Sequence, residues 1–417
     1  MTAKNNIPAG YKNSAVGVIP QEWEVKQIKK ICKVDAKSLS AKTSPNYEFE
    51  YISLSDVDSD SFNISTSHQI FRTAPSRARR IVSKGDVVIS TVRPNLQGFF
   101  LAKEDKKDLI ASTGFAVLTP TECDSQYLLS CFFSQIVSKQ FYSLVVGSNY
   151  PAVNSSDVAK LKLAVPPMEE QRKIAEILGV WDEAIEKQSR LIEKLELRKR
   201  ALTQHLLTGR TRLPGFTTPW QKVKLGEIGK FDKGVGVPKE KIVSEGCKAI
   251  TYGEIYTKYD YVIKDFASYI DSDTAQTSKQ ISTGAILFAG SGETLEDIGK
   301  CVAFIDNDKA YAGGDIIIFN PSIEVDSLVL SYILNSPVAI AQKRRYGQGH
   351  SVVHIYQKDL ARIEFELPSL PEQKAIAEVL TTADDEIATH RKKLDALRLQ
   401  KRGLMQQLLT GKTRVKI

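Results

Sequence analysis

Residues 166–213, PPMEEQRKIAEILGVWDEAIEKQSRLIEKLELRKRALTQHLLTGRTRL, occur a second time in the chain as residues 368–415, PSLPEQKAIAEVLTTADDEIATHRKKLDALRLQKRGLMQQLLTGKTRV. The two copies align without a gap, and roughly 21 of about 48 aligned positions are identical. Each copy has apolar residues at heptad spacing, which is typical of a long helix that packs against another helix. The chain is therefore predicted to contain two similar units, each followed by a long helix.

The apolar positions of each copy form one seam along its predicted helix. The seam residues are Ile174, Leu178, Trp181, Ile185, Ile192, Leu195 and Leu202 in the first copy and Ile376, Leu380, Ile387, Leu394, Leu397 and Leu404 in the second. Both seams are interrupted at the same two steps, by Gln188 and His390 and by Lys199 and Lys401. Polar residues on a seam favour one register between partner helices, whereas at a seam edge they extend towards solvent. The sequence leaves both interpretations open.

The predicted first helix spans Met168 to Leu207, about 40 residues and about 60 Å at ~1.5 Å per residue. Gly209 and Gly411 predict the helix ends, and residues 369–372, SLPE, predict a capping box at the start of the second helix. A whole domain separates the helices along the chain, so antiparallel packing within one chain is the simplest arrangement. Pairing between two chains in a dimer remains an alternative.

The regions before the long helices differ from them in composition. Strand-like runs at residues 86–90, 116–118 and 315–319 are separated by Gly, Asn and Ser, and short helical stretches are predicted near 127–141 and 325–335. Weaker echoes of the repeat pair Trp23 with Trp220 and residues 82–85 with 281–284. The predicted fold is α+β, with two pseudo-symmetric α+β domains separated by two long helices that form an antiparallel coiled coil. The predicted boundaries are 1–165, 166–208, 209–367 and 368–417.

Composition excludes several classes of protein. A chain of 417 residues with 42% hydrophobic content is expected to form two or more domains with sizeable cores. Its 57 Lys and Arg against 49 Asp and Glu leave a net charge of +8, which allows a polyanion partner without requiring one. No apolar run approaches the ~18 to 20 residues of a membrane span and the N-terminus has no apolar signal segment, so a cytoplasmic protein is expected. Five cysteines without a CxxC pair predict neither a disulfide framework nor a zinc site.

Catalytic motifs expected of an enzyme this long are missing from the sequence. HExxH, GxSxG, GxGxxG and the Asn/Asp-Pro-Pro-aromatic loop of amine methyltransferases do not occur. Residues 290–300 resemble a phosphate-binding loop, but the glycine spacing differs and Cys301 replaces the metal-binding hydroxyl. A metal-dependent nuclease using Asp86 and Glu104 is conceivable, but the repeat places Ala285 opposite Asp86. The chain is predicted to be non-catalytic and to hold no metal.

Basic residues close to Asn, Gln and aromatic residues are typical of nucleic-acid binding, since Arg and Lys bind phosphates and guanine while Asn and Gln bind adenine edges. The candidates in this sequence are Arg72, Arg77, Arg79, Arg80, Arg93, Asn95, Gln97, Tyr252, Tyr256, Lys258, Lys343, Arg344, Arg345, Gln348 and His350. Residues 343–350, KRRYGQGH, form the strongest cluster. For any one of these residues, a solvated surface side chain is the ordinary alternative.

The doubled segment, with PPMEEQRKIAEIL and LTGRTR in one copy and LPSLPEQKAIAEVL and LTGKTR in the other, resembles the specificity subunit of type I restriction-modification systems. The resemblance covers essentially the whole chain. Residues 20–23 and 219–220, each containing a tryptophan, and residues 112–115 and 312–315 also resemble recurring landmarks of that family.

The resemblance implies two target-recognition domains, each reading one half of a bipartite, asymmetric double-stranded DNA site. It also implies that the helix pair sets the gap between the halves and docks two modification subunits. Those subunits would use S-adenosylmethionine to methylate adenine, and restriction subunits would add ATP-driven translocation and Mg-dependent cleavage. A structural adaptor whose globular ends bind proteins is the alternative, and the salt dependence of DNA binding separates the two.

Overall fold

The computed structural model describes residues 7–57, 64–104, 108–144, 152–349 and 352–417. They divide into unit 1, which runs up to Ile192 and resumes at His390–Ile417, and unit 2, Glu193–Thr389. Each long helix therefore contributes one part to each unit. The four predicted segments, 1–165, 166–208, 209–367 and 368–417, are consecutive stretches of sequence, whereas the two units are defined by contacts in the fold. The predicted boundaries stay a prediction.

Unit 1 begins with short strands and short helices, continues into the first long helix up to Ile192, and is completed by the end of the second long helix. Its elements are β1 (Tyr11–Ser14), β2 (Gly17–Pro20), β3 (Glu24–Gln27), α1 (Ile28–Ile31), β4 (Cys32–Val34), β5 (Glu48–Ile52), β6 (Ser67–Ile70), β7 (Ala78–Val82), β8 (Val87–Ser90), β9 (Phe99–Leu101), β10 (Leu109–Ser112), β11 (Phe115–Pro120), α2 (Ser125–Phe132), α3 (Gln135–Leu144), α4 (Ser155–Val158), β12 (Lys162–Val165) and α5 (Met168–Leu207). Short 3-10 turns occur at Leu54–Asp56 and Pro94–Leu96.

The strands of unit 1 form two four-stranded sheets and two two-stranded sheets. One sheet has the order β6-β5-β10-β7, in which β5 and β10 are parallel with Tyr51 opposite Ile110. The other is antiparallel with the order β4-β11-β8-β9, and it contains the predicted strand-like runs at 86–90 and 116–118. The pairs are β1-β2 and β12-β3. The predicted α+β class is confirmed.

Unit 2 is also built of short strands and short helices that lead into a long helix. Its elements are β13 (Gln221–Lys224), β14 (Gly229–Lys233), β15 (Ile242–Val243), β16 (Cys247–Ile250), α6 (Tyr252–Thr257), β17 (Ser268–Ile270), α7 (Ser272–Thr277), β18 (Lys279–Ile281), β19 (Ile286–Ala289), β20 (Ser291–Gly292), β21 (Cys301–Ala303), β22 (Ala310–Ala312), β23 (Ile316–Pro321), α8 (Ser327–Leu334), α9 (Pro337–Tyr346), β24 (Val353–His354), α10 (Gln357–Leu360), β25 (Glu364–Leu367) and α11 (Leu370–Leu408). Its 3-10 turns are Leu225–Glu227 and Lys239–Lys241.

The two main sheets of unit 2 repeat the strand order of the two main sheets of unit 1. The antiparallel sheet β14-β23-β19-β21 matches β4-β11-β8-β9. The mixed sheet β17-β16-β22-β18 matches β6-β5-β10-β7, has its parallel pair at the same place, and adds β15 at one edge. The repeat detected in the long helices therefore extends through the divergent domains.

One weak sequence echo marks a turn that both units need. Gly85 and Gly284 have φ values of +88° and +87°, a conformation that L side chains rarely adopt. The carbonyl of Gly85 accepts a hydrogen bond from Ser125 Oγ at 2.8 Å, and that of Gly284 accepts one from Ser327 Oγ at 2.6 Å. The turn therefore fixes the start of α2 and of α8 in the same way.

The helical stretch predicted near 127–141 spans two helices, α2 and α3, and the stretch predicted near 325–335 is α8, the first helix of the corresponding pair α8 and α9. Asp124 caps α2 and Asp326 caps α8, each accepting from a backbone N–H three residues ahead. In unit 2, Ser336 caps the second helix of the pair, α9, and Pro337 occupies its first turn. The new cap at Ser336, two residues after the end of α8, starts a second helix axis that apolar spacing alone does not reveal.

The cores explain why the long helices stay attached to their units. In unit 1, Trp23 packs in one cluster with Ile174 and Leu178 from the start of α5 and with Leu408 from the end of α11. In unit 2 the corresponding cluster joins the end of α5 to the start of α11. No helix within the described residues has the length and apolarity needed to span a membrane.

Candidate functional site: the helix pair and the nucleic-acid interface

The predicted seam residues lie buried or half-buried in their own units. Buried positions are Ile174, Leu178, Ile185, Ile192, Leu195, Ile376, Leu380 and Ile387, and half-buried positions are Trp181, Leu202, Leu394, Leu397 and Leu404. Both helices end as predicted, with Gly209 at φ +64° and Gly411 at φ +68°.

The two helices pack antiparallel within one chain. In unit 1, Asp182 of α5 pairs with Lys401 of α11, and Gln188, further along α5, meets His390, which comes earlier in α11. In unit 2, Lys199 of α5 pairs with Asp384 of α11. Residue numbers therefore rise along one helix while they fall along the other. The predicted antiparallel pairing is confirmed, and these contacts do not need a second chain.

The polar interruptions of the seam bind each other. Gln188 is 6% exposed, and its Nε2 lies 2.8 Å from His390 Nδ1 and 3.0 Å from the carbonyl oxygen of His390. The side chains of Lys199 and Lys401 are 13% and 11% exposed and form ion pairs with Asp384 and Asp182. Sliding one helix by a turn would strand these charges away from their partners, so the interruptions fix the register.

In unit 2 the ion pair is covered by two tyrosine rings. Tyr261 and Tyr332 stack with centroids 3.8 Å apart, and Lys199 Nζ lies 5.0 Å and 5.4 Å from their ring centroids. The hydroxyl of Tyr332 donates to Asp384 Oδ2 at 2.6 Å. Burial and the neighbouring Asp384 carboxylate raise the pKa of Tyr332 well above its ordinary value. The phenol therefore stays protonated and acts as a donor.

A second buried cluster ties the first turn of each long helix to its unit. Both oxygens of Glu170 accept from Arg414 at 2.7 Å and 3.0 Å, and Oε2 also accepts from Trp23 Nε1 at 2.9 Å. The Glu170 carboxylate raises the pKa of the Arg414 guanidinium. Arg414 follows α11, so the tail of one helix completes the start of the other.

Unit 2 repeats this cluster with Glu372, Arg212 and Trp220. Glu372 accepts from Arg212 at 2.6 Å and 2.7 Å and from Trp220 Nε1 at 3.0 Å. The capping box predicted at residues 369–372 is therefore wrong for Glu372, because its carboxylate binds Arg212 and Trp220 instead of the backbone of Ser369. The repeated Glu-Gln pair and the two tryptophans were visible in the sequence, but their pairing was not.

Gln171 and Gln373 complete the attachment. Their Oε1 atoms accept from the backbone N–H of Asp124 at 2.9 Å and of Asp326 at 2.8 Å. Their Nε2 atoms donate to the carbonyls of Pro166 and Pro368 at 2.9 Å and 2.8 Å. The identical Glu-Gln pair of the repeat is thus a structural joint between helix and domain.

The basic candidates of unit 1 divide between β7 and the loop after β8. Arg77 is exposed just before β7, Arg79 stacks on Phe71 at 4.9 Å, and Arg80 forms a 2.8 Å ion pair with Asp35. Arg72 is exposed and donates to Asn46 at 3.0 Å. Arg79 and Arg80 therefore contact neighbouring side chains of their own unit. Arg72 and Arg77 are the more accessible cations of this group.

The segment after β10 brings Arg77 close to the loop that carries Arg93. Thr113 N–H donates to the carbonyl of Arg77 at 2.8 Å, and Thr91 N–H donates to the carbonyl of Gly114 at 2.9 Å. Arg93 and Gln97 flank the turn at φ +48° and +54°, and Asn95 between them is exposed. These side chains therefore share one end of the unit.

The equivalent loop of unit 2 contains residues 291–297 and has different chemistry. In unit 1, Val92 pairs with Ala152, and in unit 2 the corresponding bridge joins Ser291 to His354. Ser291 Oγ lies 2.9 Å from His354 Nδ1, and the Ser291 carbonyl accepts from Tyr256 Oη at 3.0 Å. Two loops at one topological position thus present unlike side chains.

The other unit 2 candidates lie around this bridge. Gln348 is exposed and exchanges backbone hydrogen bonds with His354, at 2.9 Å and 2.7 Å. Tyr252, at the start of α6, is 41% exposed, and Lys258 just after α6 is also exposed. Arg345 is exposed. His350 lies outside the described residues.

The prediction of a basic DNA-binding run is wrong for Lys343. This residue lies in α9, is 1% exposed, and its Nζ donates to the carbonyl of Gly299 at 2.7 Å. Burial lowers the pKa of its ammonium group. The neighbouring Arg344 forms a 2.6 Å ion pair with Glu296 at the surface. Helical geometry turns Lys343 inward because consecutive residues on a helix point about 100° apart.

We expect Lys343→Met to leave DNA affinity unchanged and to alter the free energy of unfolding by no more than about 1 kcal/mol, since one hydrogen bond to Gly299 is lost while a buried amine is removed. Because the folded-state pKa is lowered, wild-type stability should rise as pH increases towards the ordinary lysine pKa of 10.5, and the variant should lose that rise. Urea denaturation at several pH values measures both. The matched variant Arg345→Ala should weaken DNA binding and reduce its salt slope by about one.

The nuclease candidate Asp86 and the loop that resembles a phosphate-binding site make structural hydrogen bonds. Asp86 is buried and accepts from the backbone N–H of Ser83 at 2.8 Å and from Thr119 Oγ1 at 2.7 Å. Lys300, in the loop that resembles a phosphate site, donates to the carbonyl of Tyr259 at 2.7 Å. Across the described ranges, no group of three or more His, Cys, Asp or Glu is placed to hold a metal ion.

A sequence model of the type I restriction modification DNA specificity domain matches this chain twice, at residues 20–197 and 217–399. The chain belongs to this family. The two matches coincide with the two copies of the topology, each taking in its divergent domain and most of the following helix. This protein is therefore a type I specificity subunit with DNA-recognition domains. The predicted resemblance of its doubled segment to that family is confirmed.

Curated relatives of the family match along nearly the full chain. The putative type I restriction enzyme MjaX specificity subunit of Methanocaldococcus jannaschii is 27% identical, over 97% of each chain. The MjaVIII specificity subunit of the same organism is 26% identical, over 95% of this chain and 94% of its own.

Solved structures share the fold. A chain from a structure on complex assembly and conformational transition of the type I R-M system has a TM-score of 0.63 at 21% identity, covering 95% of this chain and 99% of that chain. The type I S subunit from M. genitalium has a TM-score of 0.58 at 15% identity, covering 100% and 99%. At these identities the likeness concerns the fold.

Proposed function

We propose that this chain is a non-catalytic subunit in which each unit reads one half of a bipartite, asymmetric DNA site. The observation that carries the proposal is the repeated topology with divergent loops at one position, residues 93–98 in unit 1 and 291–297 in unit 2. A common scaffold offers each half-site the same mode of approach, while unlike side chains select unlike bases.

The side chains at these loops have the chemistry for reading bases. Arg93, Asn95 and Gln97 in unit 1 are residue types that bind guanine or adenine edges in the major groove. In unit 2, His354 bridges Ser291 and Gln348, and the loop that follows Ser291 carries Glu293, an exposed carboxylate able to accept from the amino group of cytosine. Unit 2 therefore favours a half-site that differs from that of unit 1.

The helix pair is proposed to set the gap between half-sites and to dock two modification subunits. Its paired polar seam residues hold one register, as a spacer requires. Exposed apolar residues on the long helices, Val180, Leu197 and Leu399, are candidates for contact with those subunits. S-adenosylmethionine, ATP and Mg are proposed to act in the modification and restriction subunits.

A methylation map of the source genome, made with and without this gene, tests the proposal. We expect deletion to remove one split, adenine-methylated motif, whose two halves and gap the map reports. Restoring the gene should restore the motif. An unchanged map, in cells where the partner methyltransferase is expressed, would contradict the proposal.

Complementing the deletion with loop variants tests modularity. Because each unit reads its half-site alone, a combined Asn95→Ala and Gln97→Ala variant should relax one half of the motif, and a combined Arg345→Ala and Gln348→Ala variant should relax only the other. Each lost base contact is worth roughly 1–3 kcal/mol, about five- to 150-fold in discrimination. Loss of both halves by either variant would argue against independent units.

A further inference from the structure

Unit 1 contains a cavity of about 300 Å³ beside its part of the helix pair. Its lining includes Leu129, Ser130 and Phe133 around the end of α2, and Asp182 and Lys401 from the two long helices. The volume lies at the lower end of the range for small-molecule sites, roughly 300–1,000 Å³. The wall is mixed, with apolar side chains such as Leu129 and Phe133 and charged side chains that include Glu104, Glu186 and the Asp182–Lys401 pair. This lining favours a small ligand that has both an apolar face and a polar group.

The internal repeat indicates what fits this space. Helices α2 and α8 start at equivalent caps, Asp124 and Asp326, so Ser130 of α2 corresponds to Tyr332 of α8. The Asp182–Lys401 ion pair of unit 1 corresponds to the Asp384–Lys199 pair of unit 2. In unit 2, the phenol of Tyr332 occupies this position and donates to Asp384.

Ser130 cannot fill the space that Tyr332 fills. Its hydroxyl donates to the carbonyl of Gln126, one turn back in α2, at 2.8 Å. The side chain therefore ends against its own helix. Unit 1 keeps the carboxylate and the ammonium that bind a phenol in unit 2, and has a cavity next to them.

We propose that this cavity is a binding site for a small phenol, a ligand class separate from the DNA of the proposed function. The ligand hydroxyl donates to the Asp182 carboxylate, the Lys401 ammonium faces the ring, and Leu129 and Phe133 contact its apolar edge. These are the interactions that Tyr332 makes in unit 2, where Lys199 lies 5.4 Å from the ring centroid. A phenol bound there would bridge α2 to both long helices.

The probe is p-cresol, the side chain of tyrosine as a free molecule, tested on the full chain by saturation-transfer NMR and calorimetry. We expect a Kd of about 1 mM or tighter, which is reasonable for a ligand of this size. Toluene, which has the same ring without the hydroxyl, should bind about tenfold more weakly because it cannot donate to Asp182. Absence of p-cresol binding at 10 mM, roughly ten times that Kd, or equal binding of toluene, would overturn the proposal.

Variants locate the site. Ser130→Tyr should fill the cavity from within and abolish p-cresol binding, and Ser130→Leu provides a smaller filling side chain if the tyrosine variant fails to fold. The matched variant Tyr332→Ser should open the equivalent space in unit 2 and raise the stoichiometry from one site to two. Unchanged p-cresol affinity in both Ser130 variants would place the ligand elsewhere and disprove this assignment.

Discussion

Replacing Glu170 with alanine is expected to destabilise unit 1 by about 3 kcal/mol, because it removes the one carboxylate that Trp23 and Arg414 share. The indole N–H of fully buried Trp23 would lose its acceptor, and among the described residues Arg414 would keep its 3.1 Å contact with Glu22. Removing one partner of a buried ion pair typically costs about 3–5 kcal/mol, and partial exposure of Arg414 places this case at the lower end.

Hydrogen exchange measured by mass spectrometry reports the loss of stability separately for each unit. Peptides covering β3, β12 and the start of α5 should exchange faster in Glu170→Ala, by about two orders of magnitude in the limit set by opening of unit 1. Glu372→Ala should produce the same change in unit 2. The exposed neighbour Glu169 supplies the control, since Glu169→Ala should change stability by less than about 0.5 kcal/mol. Equal effects of Glu169→Ala and Glu170→Ala would remove the argument for a shared carboxylate.

Lengthening both helices by one heptad is expected to widen the gap in the methylated motif by about three base pairs while both halves stay unchanged. Seven residues add about 10 Å of helix, and base pairs rise about 3.4 Å each. A copy of residues 189–195 inserted after Gln188, with a copy of 383–389 inserted after Thr389, places the new heptads opposite each other. The Gln188–His390 and Lys199–Asp384 pairs keep their partners.

The methylation map again supplies the measurement, with co-purification of the modification subunit as the check on assembly. Inserting the heptad in α5 alone is the matched control. It would displace Lys199 from Asp384 by about two turns, so we expect loss of assembly and of the motif. An assembled double-insertion protein with an unchanged gap would exclude the helix pair as the element that sets the spacing.

The long helices could be predicted in detail because their information is local and repeated. Heptad spacing, a glycine stop and a second copy all indicate the same element, and the predicted span of Met168 to Leu207 matches α5. The antiparallel direction also followed from chain order. The strand-like runs were found for a similar reason, since each is a continuous apolar segment between turns.

The candidate DNA-binding residues 343–345 could not be assigned correctly from the sequence. Basic residues in a row look alike in sequence, but Lys343 faces the interior, Arg344 binds Glu296, and Arg345 is exposed. Whether a lysine faces solvent depends on which side of α9 packs against the unit. That packing involves Gly299, a residue distant in sequence, so neither composition nor local periodicity contains it.

The sequence by itself determined the two-unit plan, the α+β class, the two long helices and their seams, because periodicity and repetition are properties of neighbouring residues. Only the tertiary structure decided which polar residues pair. It placed Gln188 against His390, Lys199 against Asp384, and Glu170 between Trp23 and Arg414. It also opened a cavity where serine replaces tyrosine in the repeat. Such pairings depend on the distance between residues far apart in the chain, and the folded packing alone sets that distance.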